Sequence, residues 1–353
     1  MLKQMENAGM TDLHLGLDPA SGMRAIIAIH STARGNAIGG CRFIHYAREQ
    51  DAITDALRLA RGMSYKAALA GLPHGGGKAV LIRPEGEFDR HALMQAFGRF
   101  VNQLGGRYIT AMDSGTEVSD MDSIATTTEF VGCTTACGDP APHTALGLFA
   151  GIHAAVRHRL QRESLQGLTV AIQGLGHVGH ALAEHLHRAG MRLLVADIDP
   201  ERVQRCVREF NAEPVAPDAI YSVEADVFSP CGLGATLNET TIPQLRCAIV
   251  AGSANNQLAT DADGDRLIAH NILYAPDYVI NAGGLIHVAM HQAGATAEAR
   301  DEKIRAIGAT LAHLFAEADR SGLSVHHVAD RHAETLLAQA GHPFSHAEEP
   351  DHA

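Results

Sequence analysis

The sequence LTVAIQGLGHVG, residues 168–179, joins an apolar run to a glycine-rich segment of the form GxGxxG. Such a match is weak evidence in a chain with 35 glycines, but here it follows a predicted strand and opens a predicted helix. The first glycine permits a tight turn, the second lets the backbone approach a pyrophosphate, and the third packs helix on strand. The free N–H groups at the start of that helix attract an anion. The predicted dinucleotide contacts are Gly174, Gly176, His177, Val178 and Gly179.

The residues that follow extend this unit into a parallel sheet. The run MRLLVADID (191–199) is a second predicted strand, and it places Asp197 about 20 residues beyond the glycines. A carboxylate there accepts hydrogen bonds from the ribose hydroxyls and repels the 2′-phosphate of NADP. We expect no arginine beside Asp197 that would offset this repulsion. NAD is therefore the predicted cofactor. Apolar runs at 225–230, 247–255 and 272–284 are further predicted strands, separated by helices, which is typical of a sheet covered on both faces.

The first third of the chain has a mixed strand and helix pattern. Residues 23–31, 78–82 and 107–112 have the apolar composition of strands. Residues 51–70 and 89–105 carry apolar side chains at helical spacing. A chain of 353 residues is long enough for two such α/β domains.

Composition limits the class of protein. The net charge of −12 disfavours a nucleic-acid partner, because phosphates require a basic surface. The sequence has no run of about 18 apolar residues, so no membrane association is predicted. The N-terminal residues lack the apolar core of a signal peptide, and six cysteines without a CxxC pair fit reduced thiols, so a cytoplasmic protein is expected. The 22 histidines include no HExxH pattern, and no metal site is predicted.

A second glycine-rich stretch, GLPHGGGKAVLI (71–82), places Lys78 at the start of a predicted strand. It is not a P-loop, because that motif requires a glycine five residues before the last one and Ser or Thr after the lysine. A lysine shielded from water loses its proton more easily, so Lys78 and Lys66 are candidate bases rather than snorkelling surface lysines. The three glycines before Lys78 leave space in which a ligand could approach the backbone. Asp113 ends the strand at 107–112, a position that suits a crevice.

Eight stretches of the sequence together resemble the amino acid dehydrogenase family, which includes the glutamate, leucine, valine and phenylalanine dehydrogenases. The similarity runs from about residue 20 to residue 335 in the family's order, and it is closest to the leucine and phenylalanine branches. The stretches are IGGCRF, DALRLARGMSYKAALAGLPHGGGKAVLI, RYITAMDSGT, GDPAPHTALG, IQGLGHVG, FSPCGLGATLN, AGSANNQL and YAPDYVINAGG.

The resemblance implies the oxidative deamination of an L-amino acid, in which NAD and water yield a 2-oxo acid, ammonium and NADH. By the same resemblance, Lys66 matches the lysine that pairs with the substrate carboxylate. Lys78 matches the lysine that activates the attacking water, and Asp113 matches the carboxylate that carries a proton to and from the amino group.

Other positions match residues that bind rather than react. Gly39 and Gly40 match backbone that lines the substrate. Thr144 matches the residue that holds the nicotinamide carboxamide, and Asn256 matches an amide near the substrate carboxylate and the nicotinamide ribose.

The resemblance also implies two domains around a cleft. Residues 1–137 would form an α/β substrate and oligomerisation domain, and residues 138–325 a Rossmann-type NAD-binding domain. The last two segments, 297–322 and 324–341, have the pattern of helices, and the C-terminal helix, within about 326–353, would return to the first domain. Related enzymes are oligomers, so a homo-oligomer is expected.

The identity of the bound side chain depends on the residue before the two glycines of IGGCRF. Glutamate-specific relatives carry Lys there, whereas this chain has Ile38. An apolar wall leaves a buried carboxylate without a partner, so an apolar substrate is predicted. Branched-chain substrates are favoured and phenylalanine is the alternative, because each methylene discriminates by only about 1–3 kcal/mol. The predicted pocket wall is Ile38, Ala111, Leu285 and Val288.

The chain also departs from its relatives near the predicted site. Met112 precedes the catalytic aspartate where the leucine branch commonly has Glu, His74 replaces an apolar residue, and Leu146 replaces a common Tyr. These changes affect the pocket and the pH optimum but remove no reacting group. A non-catalytic NAD-binding regulator is disfavoured because both lysines and the aspartate are present, and a hydroxy-acid dehydrogenase would require a His/Arg pair.

Overall fold

The computed structural model describes residues 1–232 and 234–341, and these form two compact units. The N-terminal unit comprises residues 1–139 and 291–294 together with the described residues from 331 onward. The second unit comprises residues 140–290 and 295–330. Each unit is an α/β fold, which is the fold class predicted from the sequence.

The N-terminal unit is built on one mixed sheet. Its elements are α1 (Leu2–Asn7), β1 (Asp12–Asp18), β2 (Met23–Ser31), β3 (Ala37–Ile44), α2 (Glu49–Leu69), β4 (Gly75–Ile82), α3 (Arg90–Asn102), β5 (Tyr108–Met112) and α4 (Val118–Ala125). The strand order is β1-β2-β4-β3-β5. β2 is antiparallel to β1 and β4, whereas β3 is parallel to β4 and β5. Helix α2 packs on β2 and β4 through small and aliphatic side chains such as Ala28, Ala56, Ala60 and Val80.

The predicted strand at 78–82 begins three residues earlier, so the three glycines lie inside β4. A Cβ atom at Gly75 would lie 1.8 Å from a carbonyl oxygen of β2, and one at Gly76 would lie 2.0 Å from the backbone nitrogen of Ser64 in α2. A Cβ atom at Gly77 would lie 2.8 Å from the ring of Tyr108. Glycine permits such close approach. Packing of the chain on itself, rather than approach of a ligand, therefore explains these glycines.

The second unit is built on one parallel sheet. Its elements are α5 (Ala141–Leu160), β6 (Thr169–Gln173), α6 (His177–Arg188), β7 (Arg192–Ala196), α7 (Pro200–Phe210), β8 (Glu213–Pro214), β9 (Val227–Pro230), a 3₁₀ turn (Ile242–Gln244), β10 (Ile249–Val250), α8 (Ala262–Ala269), β11 (Leu273–Tyr274), α9 (Asp277–Ile280), α10 (Gly283–Gln292), α11 (Ala297–Arg305), α12 (Ile307–Ser321) and α13 (Val325–Gln339). The last two residues of α10 and the part of α13 from residue 331 onward belong to the N-terminal unit. The strand order is β11-β10-β9-β6-β7-β8, and every adjacent pair of strands is parallel. The chain order reverses at β6, and ligands of such sheets bind at the carboxyl ends of strands at this point.

Two predicted strands of this unit are largely wrong. Within 247–255 only two residues form strand β10, and within 272–284 the two-residue strand β11 is followed by α9 and the start of α10. Pro276 precedes α9, and Asp277 accepts a hydrogen bond from the backbone of Tyr278 at 2.8 Å. A short apolar run does not distinguish a buried helix from a strand, which is why the pattern misled.

The C-terminal helices differ in number from the prediction. Residues 297–322 form two helices that meet at Ala306, so 297–341 contains three helices rather than two. The last residues, SHAEEPDHA (345–353), have the polar composition that predicts a solvated tail, and they lie outside the described residues. Among the helices of residues 1–232 and 234–341, none combines the length and apolar composition that crossing a membrane requires.

Candidate active site

Lys78 and Asp113 form a shielded ion pair in the N-terminal unit. The Nζ of Lys78 lies 2.7 Å from Oδ2 of Asp113, and only 5% of Lys78 is exposed. Gly40 of β3 pairs with Ala111 of β5, and the β3–β4 register puts Gly40 beside Lys78. A Cβ atom at Gly40 would lie 2.7 Å from Cβ of Asp113, so the glycine is what lets the aspartate reach the lysine. The structure thus brings together four residues that the sequence analysis selected.

The carboxylate of Asp113 is held in its charged form by two cations. Burial alone would raise the pKa of Asp113, but the charges of Lys78 and Arg42 oppose burial and lower that pKa to about 2. The Nε of Arg42 lies 3.4 Å from the same Oδ2 that contacts Lys78. Asp113 is therefore an anion at neutral pH.

Sequence reasoning missed the residues behind Arg42. Its Nη1 lies 2.7 Å from Oδ2 of Asp55 in α2, and the hydroxyl of Tyr46 donates to the same oxygen at 2.6 Å. Burial and the bond to Asp55 both raise the pKa of Tyr46, so its hydroxyl stays protonated and remains a donor. The available signal was an arginine in the apolar strand AIGGCRFI, which needs a partner.

The other predicted substrate residues of this unit lie in the sheet and in α2. Lys66 is half-buried in the last turn of α2. Ile38 has no accessible surface and pairs with Gly76 across β3 and β4. The carbonyl oxygen of Gly39 accepts a hydrogen bond from the Tyr108 hydroxyl at 2.6 Å. Gly39 is itself packed tightly, since a Cβ atom there would lie 1.7 Å from a carbonyl oxygen of β4.

The glycine-rich turn of the second unit connects β6 to α6, as the sequence predicts. Gly174 has φ +93°, a conformation that favours glycine, and a Cβ atom there would lie 2.7 Å from the backbone nitrogen of Gly232. A Cβ atom at Gly179 would lie 2.0 Å from the carbonyl oxygen of Gly174, which is the close contact of helix and strand. Gly176 precedes α6, and the nearest atom to an added Cβ there is Nη1 of Arg202, 4.0 Å away. His177 begins α6 and Val178 follows, so the free N–H groups of the helix N-terminus lie at this point, and such groups attract an anion.

Asp197 lies directly after β7, beside this turn. Its Oδ2 accepts a hydrogen bond from the N–H of Leu175 at 2.6 Å, and its Oδ1 accepts one from Asp199 at 2.9 Å. The expectation that no arginine lies beside Asp197 is wrong: Nη1 of Arg202 is 3.9 Å from Oδ2. The first turn of α7 returns this arginine toward the end of β7. Ile198, also missed from the sequence, is 91% exposed next to the carboxylate.

The remaining predicted residues lie elsewhere in the second unit. Thr144 is in the first turn of α5, where its hydroxyl donates to the Pro140 carbonyl at 3.1 Å. Asn256 has φ +53° in the loop after β10, and its carbonyl oxygen accepts a hydrogen bond from Ala235 at 2.7 Å. Two apolar residues of α10 complete this set: Leu285 is half-buried and Val288 is buried.

Sequence comparison finds matches to known protein families in both units. Residues 11–130 match the Glu/Leu/Phe/Val dehydrogenase dimerisation domain, and residues 194–315 match the Glutamate/Leucine/Phenylalanine/Valine dehydrogenase family. The chain belongs to the Glu/Leu/Phe/Val dehydrogenase family. The resemblance stated from the sequence is thereby confirmed, and Glu/Leu/Phe/Val dehydrogenases are NAD(P)-dependent oxidoreductases that act on amino acids.

Individual members of the Glu/Leu/Phe/Val dehydrogenase family match along most of the chain. A leucine dehydrogenase from Thermoactinomyces intermedius is 48% identical over 337 residues, which are 94% of this chain and 92% of that protein. A valine dehydrogenase from Streptomyces albus is 44% identical and covers 95% and 94% of the two chains. The crystal structure of L-tryptophan dehydrogenase from Nostoc punctiforme superposes with a TM-score of 0.84 at 41% identity, covering 96% and 99%.

Proposed function

We propose that the protein catalyses the reversible, NAD-dependent oxidative deamination of apolar L-amino acids, with a preference for the branched side chains of leucine, valine and isoleucine. L-amino acid, NAD⁺ and water give 2-oxo acid, ammonium, NADH and a proton. The observation that carries the proposal is the shielded Lys78–Asp113 ion pair, in a chain 48% identical to a leucine dehydrogenase. A lysine and a carboxylate in contact supply the proton donor and acceptor that the reaction needs.

The N-terminal unit would supply substrate binding and proton transfer. Lys66 binds the substrate carboxylate through a charge-assisted hydrogen bond. Lys78 takes a proton from the attacking water, and Asp113 carries a proton to and from the substrate amino group. Their 2.7 Å separation supports this assignment, because a proton can pass directly between groups in hydrogen-bond contact. Gly39 and Gly40 line the reacting carbon with backbone atoms.

The second unit would hold the cofactor, which accepts a hydride from the substrate Cα when bound. The N-terminus of α6 suits the pyrophosphate, and at Gly176 the nearest atom to an added Cβ is a guanidinium nitrogen of Arg202, a cation that favours the same anion. Asp197 accepts hydrogen bonds from the adenosine ribose hydroxyls, and the exposed side chain of Ile198 offers an apolar face to the adenine. Thr144 and Asn256 hold the nicotinamide end. The choice of NAD over NADP depends on Asp197.

We expect Asp197→Ala to weaken NAD binding and to narrow the preference for NAD over NADP. The substitution removes the acceptor for the ribose hydroxyls and leaves Arg202, now 3.9 Å from the carboxylate, to face a 2′-phosphate. Steady-state kcat/KM for each cofactor measures the ratio. The matched variant Arg202→Ala should widen the preference. An Asp197→Ala enzyme with the wild-type ratio would remove this residue from cofactor selection.

The substrate pocket would be apolar. Ile38 replaces the lysine of glutamate-specific relatives, and a buried carboxylate without a partner costs several kcal/mol, on the order of 3–5. Ala111, Leu285 and Val288 complete the proposed wall. Aromatic substrates are the second candidate, because an L-tryptophan dehydrogenase from Nostoc punctiforme matches at 46% identity, close to the leucine enzymes.

A substrate panel tests the function. NADH formation is measured with L-leucine, L-valine, L-isoleucine, L-phenylalanine, L-tryptophan and L-glutamate. We expect the branched-chain substrates to give the highest kcat/KM and glutamate the lowest. A higher kcat/KM for the aromatic pair would transfer the assignment to that class. NAD binding without NADH formation from any amino acid would favour a non-catalytic regulator.

The same proposal includes the domain boundaries and the oligomeric state. Residues 1–137 would form the substrate and oligomerisation domain, to which the helix within 326–353 returns, and residues 138–325 would form the NAD domain. The protein would be a homo-oligomer in the cytoplasm, in line with the dimerisation domain that matches residues 11–130. Sedimentation at micromolar concentration tests this, and a species with the mass of one chain would exclude it.

A further inference from the structure

Asp113 lies at one end of a chain of largely shielded charges that extends beyond Lys78. Arg42 contacts Asp113 on one side and Asp55 on the other, and Tyr46 donates to Asp55. The side chains of Arg42, Asp55 and Asp113 are each between 14% and 16% exposed. Such shielding makes an unpaired charge costly, so each member restricts the position of the next.

We propose that Arg42, clamped by Asp55 and Tyr46, is a positioning residue that keeps Asp113 ionised and oriented toward Lys78 for the proton transfers of deamination. The proposal rests on the function proposed above. Arg42 touches neither reacting atoms nor cofactor in this scheme and acts only through Asp113.

Arg42 contacts its two carboxylate partners at unequal distances. Arg42 lies 2.7 Å from Asp55 and 3.4 Å from Asp113, so its stronger contact is the one that faces away from the site. Lys78, at 2.7 Å, remains the nearer cation for Asp113. With two cations and two anions, the set Lys78, Arg42, Asp113 and Asp55 is neutral. If Asp55 were lost, Arg42 would be free to move onto Asp113 and compete with Lys78.

The charged groups around Asp113 come from every neighbouring element. Lys78 belongs to β4 and Arg42 to β3, while the thiol of Cys41, whose pKa burial raises to about 12, stays neutral. The nearby groups of the other elements are Asp55 and Arg58 on α2 and Asp120 on α4, which is paired with Arg90 at 2.7 Å. Arg58 is 3.7 Å from Asp55 and is largely exposed, so its effect is screened.

The experiment compares Arg42→Gln and Tyr46→Phe with the control Arg48→Gln. Arg48 forms an exposed pair with Asp51 at the start of the same helix, so the control removes an arginine–aspartate contact away from the site. Two measurements are made on each protein: the pH profile of kcat/KM with L-leucine, and the titration of Asp113 by carbon-13 NMR of the ligand-free enzyme.

Arg42→Gln should lower kcat on the order of tenfold to hundredfold by misplacing the carboxylate. It should also move the acidic limb of the kcat/KM profile and the midpoint of the Asp113 titration to higher pH by about one unit or more. Tyr46→Phe should give a smaller change in the same direction, and Arg48→Gln no change. If Arg42→Gln does not fold, Arg42→Lys is measured in its place. Lysine keeps the positive charge but cannot contact both carboxylates, so the midpoint of the Asp113 titration should return only part of the way to the wild-type value.

The two proposals can fail separately. A wild-type enzyme inactive on amino acids, with the Asp113 titration still moved by Arg42→Gln, would overturn the function but leave the clamp in place. An active wild-type enzyme whose Arg42→Gln variant keeps the wild-type pH profile and Asp113 titration would overturn the clamp. A lower melting temperature with no change in either profile would assign Arg42 a purely structural role.

Discussion

Lys78→Ala should lower kcat and kcat/KM together by about 10²–10⁴, the range for a lost general base. The lysine is buried against Asp113 and accepts a proton from the attacking water, so its loss raises the barrier rather than weakening the binding of the substrate. NAD affinity should be unchanged, because the proposed cofactor residues lie in the second unit. Steady-state kinetics and NAD titration measure both quantities.

Lys66→Ala is the matched control for this prediction. It removes the proposed partner of the substrate carboxylate, so KM should rise strongly while kcat falls less. A thermal melt on each variant separates chemistry from folding. A folded Lys78→Ala enzyme with near-normal turnover would exclude the lysine from the mechanism.

The ion pair also contributes acid-sensitive stability. The pKa of Asp113 is about 2 in the folded protein, below the value of ~3.9 for an unfolded aspartate. The pair therefore stabilises the fold fully above about pH 4, and this contribution is lost as the pH falls toward 2. Lys78→Ala raises the pKa of Asp113, so the variant should lose part of the stability that the wild type has at neutral pH.

Gly76→Ala should destabilise the N-terminal unit by about 3 kcal/mol or more, at or above the upper end of the range for overpacking. The new methyl would lie 2.0 Å from the backbone nitrogen of Ser64 and 2.5 Å from its Cα, so no rotation of a side chain relieves the clash. Helix α2 would have to move away from the sheet. Urea denaturation followed by circular dichroism measures the change, and failure to express folded protein is the extreme form of the same result.

Gly62→Ala provides the comparison within α2. A Cβ atom at Gly62 meets nothing within 4 Å, and alanine is preferred to glycine in a helix interior by about 0.5–1 kcal/mol. This variant should therefore be as stable as the wild type or slightly more stable. Equal destabilisation by the two substitutions would show that the Gly76–Ser64 contact does not set the distance of α2 from the sheet.

The sequence predicted those parts of the site that local pattern encodes. Gly174 and Gly179 are recognisable because a tight turn and a close helix crossing each exclude a side chain. Lys78 and Asp113 are recognisable because a charge beside an apolar strand is unusual, and the resemblance assigned their roles. Their contact, however, depends on β3 lying between β4 and β5, and no local pattern specifies that strand order.

Other parts of the site depend on contacts that composition does not report. The Arg42–Asp55 pair joins a strand to the following helix, and its geometry follows from the angle at which α2 crosses the sheet. Arg202 is only five residues from Asp197, yet the turn into α7 had to be known before the two could be placed together. The strand predicted at residues 272–284 was largely wrong, because a helix and a strand that are buried on all sides have equally apolar sequences.

Helix α2 is a single element of 21 residues that carries Asp55 and Lys66 and rests against β4 at Gly76. Any displacement of this helix would shift Lys66, the proposed partner of the substrate carboxylate, and Asp55, which supports Asp113 through Arg42, at the same time. A substitution that moves α2 would therefore disturb both groups together. We expect substitutions at proposed pocket residues outside this helix, such as Ile38 and Ala111, to change the accepted amino acid without moving either group.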